Sequence, residues 1–357
     1  MEYPSCTALK LTSREGRPYW FRTCDIGNSI WEQGAHIVSF PRGGAMPLVG
    51  RPDHVCAHAL VGVSYTTSDT WLMDAVNDAG LTGGLLALYE ATSLSACEED
   101  EGVVGMEIVS YLLSTCGSME ALKEAARRVR ILDVPIPEGR SAATMHCMFL
   151  DETGSCLILE AADPDRPGQF TLYEKNLGLM TNSPPYPGQL DNLRWFLAHS
   201  PELNWDRTAP AELTLNGMTV VADPVAPHFS TSGTFPASYA SCDRFIRQAV
   251  LTAYNHEGRD FPDERMLSLG SELMSPVIEP RNQGVFHYIR FDAQDGPQSG
   301  HESYTQYLVM YDPTRRRLYM RPYGATAWTM VALDHCDRAE RQRHELCWRS
   351  DGGVVEK

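Results

Sequence analysis

Hydrophobic and polar residues alternate along several stretches of the chain and recur at helical spacing along others. Residues 6–13 and 18–25 alternate as two strands do, and Arg14-Glu15-Gly16-Arg17 between them is typical of a hairpin turn. Further strand patterns lie at 36–41, 56–65, 69–76, 82–89, 144–150, 155–161, 284–291, 304–311, 316–322 and 327–332. Helical spacing predicts two helices within 102–130 and others at 188–199, 241–255 and 263–275, whereas 200–239 is predicted to be mostly loop. Strand blocks separated by helix blocks predict an α+β fold of antiparallel sheets covered by helices.

A cysteine lies at the start of the first predicted strand. In one interpretation Cys6 is a small buried hydrophobe. If the five residues before it are removed, Cys6 carries both a thiol nucleophile and a free α-amine that can act as its base. The second strand of the hairpin brings Arg22 and Asp25 back beside Cys6. A nearby arginine favours the thiolate, and Asp25 can hold the amine by a charge-assisted hydrogen bond.

A series of motifs continues along the chain after this hairpin. In order they are Cys6-Thr7-Ala8-Leu9, Arg22-Thr23-Cys24-Asp25, Phe40-Pro41-Arg42-Gly43, residues 74–81 and 105–113, Thr144-Met145-His146, and residues 151–154, 179–184, 241–247, 304–307 and 309–312. This series resembles the choloylglycine hydrolases, also called linear amide C–N hydrolases, which include conjugated bile acid hydrolases and penicillin V acylases. The resemblance covers residues 6–332, and the order of the motifs carries it.

The resemblance implies a four-layer αββα sandwich of the N-terminal nucleophile hydrolase type, with two antiparallel sheets between helix layers. It also implies roles for individual residues. Cys6 attacks the amide carbonyl, and Arg22 and Asp25 tune its thiolate and α-amine. Asn182 supplies an oxyanion-hole amide, and Arg244 orients the nucleophile. Taken alone, Asn182 is typical of a turn, and Arg244 of a solvated charge at the start of a helix.

One position of the family pattern can be matched to either of two residues of this chain. Many bile acid hydrolases have an asparagine that assists the oxyanion hole, and penicillin V acylases often have a tyrosine. An ungapped match places Ala87 there, whereas a shift of two residues places Tyr89 near the site as a substrate-binding residue. Both registers keep the same strand face, so alternation does not decide between them. If Ala87 is the equivalent, the second oxyanion donor must be a backbone N–H or water.

Composition limits the domain organisation. The 357 residues are 43% apolar and 21% charged, which is typical of a globular protein with a sizeable core. No linker divides the chain, so we expect one domain over 6–332 and a tail over 333–357 that is helical or frayed. The resemblance implies that the domain is an amidohydrolase and that segment 1–5 is removed.

Charge and segment composition limit partners and location. The net charge of −16 argues against nucleic acid and would repel anionic bile conjugates at long range. The sequence has neither an apolar run of transmembrane length nor the pattern of a secretory signal, so we expect a cytoplasmic protein without a membrane partner. The family resemblance implies a homo-oligomer, commonly a tetramer.

Two groups of histidine and cysteine are candidate metal sites. The first is His54, Cys56 and His58 on one strand face, and the second is His335, Cys336, His344 and Cys347 in the tail. Neither has the spacing of a complete ligand set, so we expect no metal and no organic cofactor.

The sequence therefore predicts an N-terminal cysteine amidohydrolase that acts on a small acyl amide. Glycine- or taurine-conjugated bile acids are the first expectation, and penicillin V or an N-acyl homoserine lactone is the alternative. A hypothesis of another class is a non-catalytic relative that binds acyl amides or steroids. It is motivated by the Met1–Ser5 segment and the missing asparagine. A thiol enzyme with His146 as its separate base is the remaining alternative.

Overall fold

The fold is built around two large β-sheets. A computed structural model describes residues 5–27, 29–96, 102–133, 144–200, 211–228, 235–281, 289–292, 296–299, 303–336 and 338–357. In chain order its strands are β1 (Ser5–Thr12), β2 (Pro18–Ile26), β3 (Ile37–Phe40), β4 (Leu60–Ser64), β5 (Leu72–Asn77), β6 (Leu81–Ala87), β7 (Gly102–Val104), β8 (Arg130–Leu132), β9 (Met145–Asp151), β10 (Cys156–Glu160), β11 (Thr171–Tyr173), β12 (Leu179–Met180), β13 (Glu212–Leu215), β14 (Met218–Val221), β15 (Ile289–Asp292), β16 (Gly296–Ser299), β17 (Tyr304–Asp312), β18 (Arg317–Pro322), β19 (Trp328–Ala332), β20 (Gln342–His344) and β21 (Val354–Glu356). The α-helices are α1 (Ile108–Thr115), α2 (Met119–Arg128), α3 (Tyr186–His199), α4 (Ser241–Tyr254) and α5 (Met266–Met274).

The two sheets have seven and eight strands. The first sheet has the order β12-β1-β2-β17-β18-β19-β21, and the second has the order β11-β10-β9-β6-β5-β4-β3-β20. Neighbouring strands are antiparallel, except that the edge strand β21 runs parallel to β19. Three two-stranded pairs, β7–β8, β13–β14 and β15–β16, lie outside these sheets.

The sheets pack face to face and helices cover their outer faces. Strands β1 and β2 contact β6 and β9 across the sandwich. At Gly84 the sheets approach so closely that an added Cβ would lie 2.7 Å from the Trp20 ring. Helices α4 and α5 cover the first sheet, and α1 covers the second. The predicted four-layer α+β sandwich is therefore confirmed.

The first hairpin forms as the alternation predicts. Its turn is closed by the Ser13 N–H, which donates to the Arg17 carbonyl over 2.9 Å. Gly16 has φ +82°, a left-handed conformation that glycine adopts without a Cβ clash. Strands β1 and β2 are buried along nearly their whole length, because they lie inside the sheet and inside the sandwich. This burial places Cys6 in the interior.

The structure differs from the predicted elements in several places. The short strands β7, β8, β11 and β12 were not predicted. The strand predicted at 56–65 begins only at Leu60. The region 200–239, predicted as loop, contains the hairpin β13–β14. The tail, predicted to be helical or frayed, instead adds β20 to the edge of one sheet and β21 to the edge of the other. Most of the strand predicted at 284–291 lies outside the described residues.

In the part of the chain that the structure describes, no helix is both long enough and apolar enough to span a bilayer.

Candidate active site

Cys6 lies directly opposite Cys24 in the pairing of β1 with β2. The same register sets Ser5 opposite Asp25 and Ala8 opposite Arg22. Cys6 is only 1% exposed. The Arg22 Nη2 donates to the Cys6 Sγ over 3.5 Å. The hairpin thus brings together the three residues that the sequence predicted from local pairing.

Arg22 is fully buried and joins the two sheets through a carboxylate. Its Nη1 pairs with the Asp74 carboxylate of the opposite sheet and donates to the Tyr307 hydroxyl over 3.1 Å. The Tyr307 and Tyr311 hydroxyls donate to Asp74 over 2.6 and 2.7 Å. Because the charges of Arg22 and Asp74 are both out of water, each is stabilised by the other charge and by these hydrogen bonds. The network fixes the guanidinium beside the thiol.

Asp25 lies in a second buried cluster on the other side of Cys6. Its carboxylate accepts hydrogen bonds from the Thr23 Oγ1 (2.9 Å) and from the Thr305 Oγ1. Burial, and then the nearby charge of Glu279, raise the pKa of Asp25 well above its usual range. Glu279 is fully buried, and its Oε1 accepts a hydrogen bond from the Ser5 hydroxyl. These surroundings therefore disfavour the charged form of the Asp25 carboxyl.

Asn182 and Arg244 hold the backbone at Cys6. The Cys6 N–H donates to the Asn182 Oδ1 over 2.7 Å. Arg244 donates to the same Oδ1 (2.8 Å), to the Cys6 carbonyl (2.5 Å) and to the Thr7 Oγ1 (2.7 Å). Arg244 is fully buried, so its interpretation as a solvated helix-terminal charge is wrong. The nitrogen that would become the α-amine is therefore fixed by an amide oxygen.

The structure distinguishes the surroundings of Ala87 and Tyr89. The Asn182 Nδ2 donates to the Ala87 carbonyl over 2.9 Å. The Tyr89 N–H donates instead to the Ser183 Oγ over 3.0 Å, and Tyr89 is 36% exposed. Ala87 is thus the candidate whose backbone contacts Asn182. An oxyanion would have to share the Asn182 amide with that carbonyl.

The Cys6 thiol ionises more readily than an ordinary thiol. Burial raises its pKa, but hydrogen bonding to Cys24, the charge of Arg22 and the Asp25 backbone N–H together outweigh burial and lower the pKa to about 6. Burial and the hydrogen bond with Cys6 raise the pKa of Cys24 well above the usual range. Cys6 is therefore the thiolate of the pair near neutral pH.

This ionisation gives a testable pH dependence. Because a lowered pKa keeps Cys6 ionised above about pH 6, its rate of alkylation by iodoacetamide should rise with pH and be half-maximal near that value. The groups responsible do not belong to residues 1–5, so the full chain that still carries this segment should already show this midpoint. Cys24→Ala removes one stabilising hydrogen bond and should move the midpoint upward. A midpoint near that of a free thiol, about 8.5, would contradict this assignment.

Sequence reasoning missed four buried members of this site. Asp74, Tyr307 and Tyr311 fall in matching motifs but received no role, although Tyr307 and Tyr311 share one strand face. Glu279 stands in a segment without a recognisable pattern, so no sequence signal pointed to it.

His146 and the candidate metal ligands have other partners. The His146 Nδ1 contacts the Glu160 Oε1 (2.8 Å), and its Nε2 contacts the Thr181 carbonyl (2.7 Å). Both ring nitrogens are thus engaged away from Cys6. His54 contacts the Ser114 Oγ, and His58 contacts Asp78. Over the described ranges, no three metal-ligating side chains form a group.

A buried thiol with a lowered pKa beside an arginine is the arrangement of a nucleophilic cysteine. The family model described as linear amide C–N hydrolases, choloylglycine hydrolase family, matches residues 6–260. The chain belongs to this family, which confirms the resemblance and the enzyme class drawn from the sequence.

Individual relatives agree with this assignment. The bile salt hydrolase/transferase of Clostridium perfringens is 25% identical over 256 residues, which are 69% of this chain and 71% of that protein. The crystal structure of an arginine-to-leucine variant of the conjugated bile acid hydrolase from C. perfringens has a TM-score of 0.74 at 21% identity, covering 96% of this chain and 98% of that chain. The penicillin V acylase of Agrobacterium tumefaciens has a TM-score of 0.67 at 17% identity, covering 98% of this chain and 95% of that chain. The two structures show that the fold is shared.

Proposed function

We propose that the chain hydrolyses glycine- or taurine-conjugated bile acids with Cys6 as an N-terminal nucleophile, after residues 1–5 have been removed. The observation that carries the proposal is that both reactive atoms of Cys6 are held in one buried site. Its nitrogen donates to the Asn182 Oδ1 over 2.7 Å, and its sulfur accepts from the Arg22 Nη2 over 3.5 Å. Removal of Ser5 would turn that nitrogen into the α-amine.

In the proposed reaction the Cys6 thiolate attacks the amide carbonyl. The C–N bond then breaks, the leaving amine takes a proton from the α-ammonium, and the acyl group stays on sulfur as a thioester. Water attacks the thioester with the α-amine as base, which releases the acid and restores the thiol. Asn182 is proposed as an oxyanion donor, and Arg244 as the group that orients Cys6 through its carbonyl. Asp25 is proposed to hold the α-amine, because it lies opposite the residue before Cys6.

The choice of bile acid conjugates is supported by the relatives. The sequence matches include proteins named for bile salts at 25% and 22% identity, whereas the likeness to penicillin V acylase is one of fold. We retain penicillin V and N-acyl homoserine lactones as alternative substrates of the same site, with Tyr89 as a proposed substrate contact. A cytoplasmic location and a homo-oligomer also belong to this proposal, and the nine described cysteines, all free thiols, agree with a reducing compartment.

The mass of the purified chain, followed by a substrate panel, tests the proposal. The expected mass is that of a chain beginning at Cys6, and we expect release of glycine or taurine from bile conjugates to exceed cleavage of penicillin V and acyl homoserine lactones. A matched variant in which Cys6 directly follows the initiator Met separates processing from chemistry. If the full chain keeps residues 1–5 but this variant is active, the proposed self-processing is wrong. The proposed role of Cys6 as the nucleophile is then still supported. If neither chain cleaves any amide in the panel, the non-catalytic binding hypothesis replaces this one.

A further inference from the structure

A cavity of about 810 Å³ opens at the end of the sandwich remote from Cys6. Both sheets contribute to it, through the end of β3, the turn after β5, the turn between β17 and β18, and the segment that follows β19. Along β17, five residue steps lead from Tyr307, which contacts Arg22, to Asp312 at the cavity end. At about 3.4 Å per residue this is about 17 Å. The cavity is therefore separate from the amidase site.

The cavity is basic, although the protein is strongly acidic. Among the residues that the structure describes, five arginines and two carboxylates line it, in a chain of net charge −16. The arginines are Arg42, Arg315, Arg316, Arg317 and Arg338, and the carboxylates are Asp78 and Asp334. An excess of positive over negative side chains in a concave site raises the local concentration of anions. This geometry favours an anionic ligand.

Three of the five arginines already have a carboxylate partner. The pairs are Arg42 with Asp78 (2.8 Å), Arg315 with Asp312 (2.9 Å) and Arg316 with Glu152 (2.9 Å). Asp78 also accepts from His58 over 2.9 Å, so its charge is shared between two partners. These three arginines add to the positive field but have part of their hydrogen-bonding capacity satisfied.

Arg317 and Arg338 differ from the other three. No described carboxylate forms an ion pair with either of them, and the buried Nε of Arg317 has no acceptor in the described part of the chain. A buried donor without an acceptor is uncommon, because it loses its bond to water without a replacement. An oxyanion in the cavity would supply that acceptor. Arg338 is exposed and can contact the same ligand from the outer side.

The remaining wall of the cavity is partly apolar. Phe40, which is 1% exposed, and Leu333, which is 7% exposed, line it together with Pro41. We propose that the cavity binds a small organic molecule that carries two or more oxyanion groups, phosphate or carboxylate. Guanidinium forks match either group in a bidentate manner, and the apolar wall accommodates the carbon skeleton. This proposal does not depend on the amide substrate.

Two probes separate the two oxyanion chemistries. Binding of pyrophosphate and of citrate is measured by calorimetry on the full chain, at an ionic strength kept constant with sodium chloride. We expect one or both probes to bind and to raise the thermal midpoint. The probe with the lower Kd identifies the preferred group. If neither probe gives a heat of binding greater than that of the sodium chloride control, the proposal is wrong.

Charge-removing variants test the location of the site. Arg317→Gln combined with Arg338→Gln should raise the Kd of the bound probe at least tenfold, and Arg338→Gln alone should raise it less. Arg166→Gln is the matched control, because Arg166 is an exposed arginine outside the cavity that pairs with Asp163. A Kd that changes equally in the control, or that does not change in the double variant, would overturn the proposal. Because the exposed Arg338 tolerates substitution, its single variant keeps the test valid even if the double variant folds poorly.

Discussion

Replacing Cys6 with serine is expected to lower kcat/KM for the cleaved amide by about a thousandfold or more. The buried Arg22 and the Cys24 and Asp25 contacts lower the pKa of the thiol to about 6, but a serine hydroxyl does not ionise near neutral pH under the same influence. The measurement is kcat/KM on the best substrate of the panel. It is made with the variant in which residue 6 directly follows the initiator Met, so that any defect in processing does not contribute.

Another cysteine provides the control for this prediction. Cys156 lies half-buried in β10 of the other sheet, and burial raises the pKa of its thiol to about 12. Cys156→Ser should therefore leave kcat/KM within a few fold of the unsubstituted chain. An unchanged rate in Cys6→Ser would end the interpretation of Cys6 as the nucleophile.

Replacing Asp74 with asparagine should lower the free energy of unfolding by about 3–5 kcal/mol, the usual cost of removing one partner of a buried ion pair. Asp74 and Arg22 both have no exposed side-chain surface. The variant would leave the Arg22 charge in the interior without its counter-ion. It would also weaken the hydrogen bonds that Tyr307 and Tyr311 donate to the carboxylate. Urea denaturation followed by circular dichroism measures the change.

An exposed ion pair gives the matched comparison. Arg349 and Asp351 are 59% and 62% exposed, so Asp351→Asn should leave the free energy of unfolding nearly unchanged. Replacing both buried partners, Arg22→Met with Asp74→Leu, should recover much of the lost stability, because no unpaired charge remains. Equal losses for Asp74→Asn and Asp351→Asn would contradict the buried-pair account.

The hairpin β13–β14 was missed by the sequence analysis, although its turn has a clear sequence signal. Asn216-Gly217 stands between the alternating residues of β13 and β14, and both residues have positive φ, 48° and 74°. An Asn-Gly pair between two alternating runs is a strong indication of a two-residue hairpin. The many prolines of 200–239 suggested loop instead.

The tail strands had no comparable signal. Strand β20 has only three residues, none of them fully buried, and it exists because it pairs with the edge of β3. A segment this short has no usable periodicity of its own. Tertiary pairing therefore decided its conformation.

The sequence by itself determined the first hairpin, the order of strand and helix blocks, and the placement of Cys6, Arg22 and Asp25 side by side. These features depend on side-chain periodicity and on a tight turn, which act over a few residues. The tertiary structure alone decided what surrounds them. Asp74 reaches Arg22 across 52 residues of chain, and Arg244 reaches the Cys6 carbonyl across 238. The second sheet packs on one face of the first sheet and brings Asp74 to Arg22, whereas helix α4 packs against β1 and brings Arg244 to Cys6. Burial then makes the charges interdependent, because no water remains to solvate them.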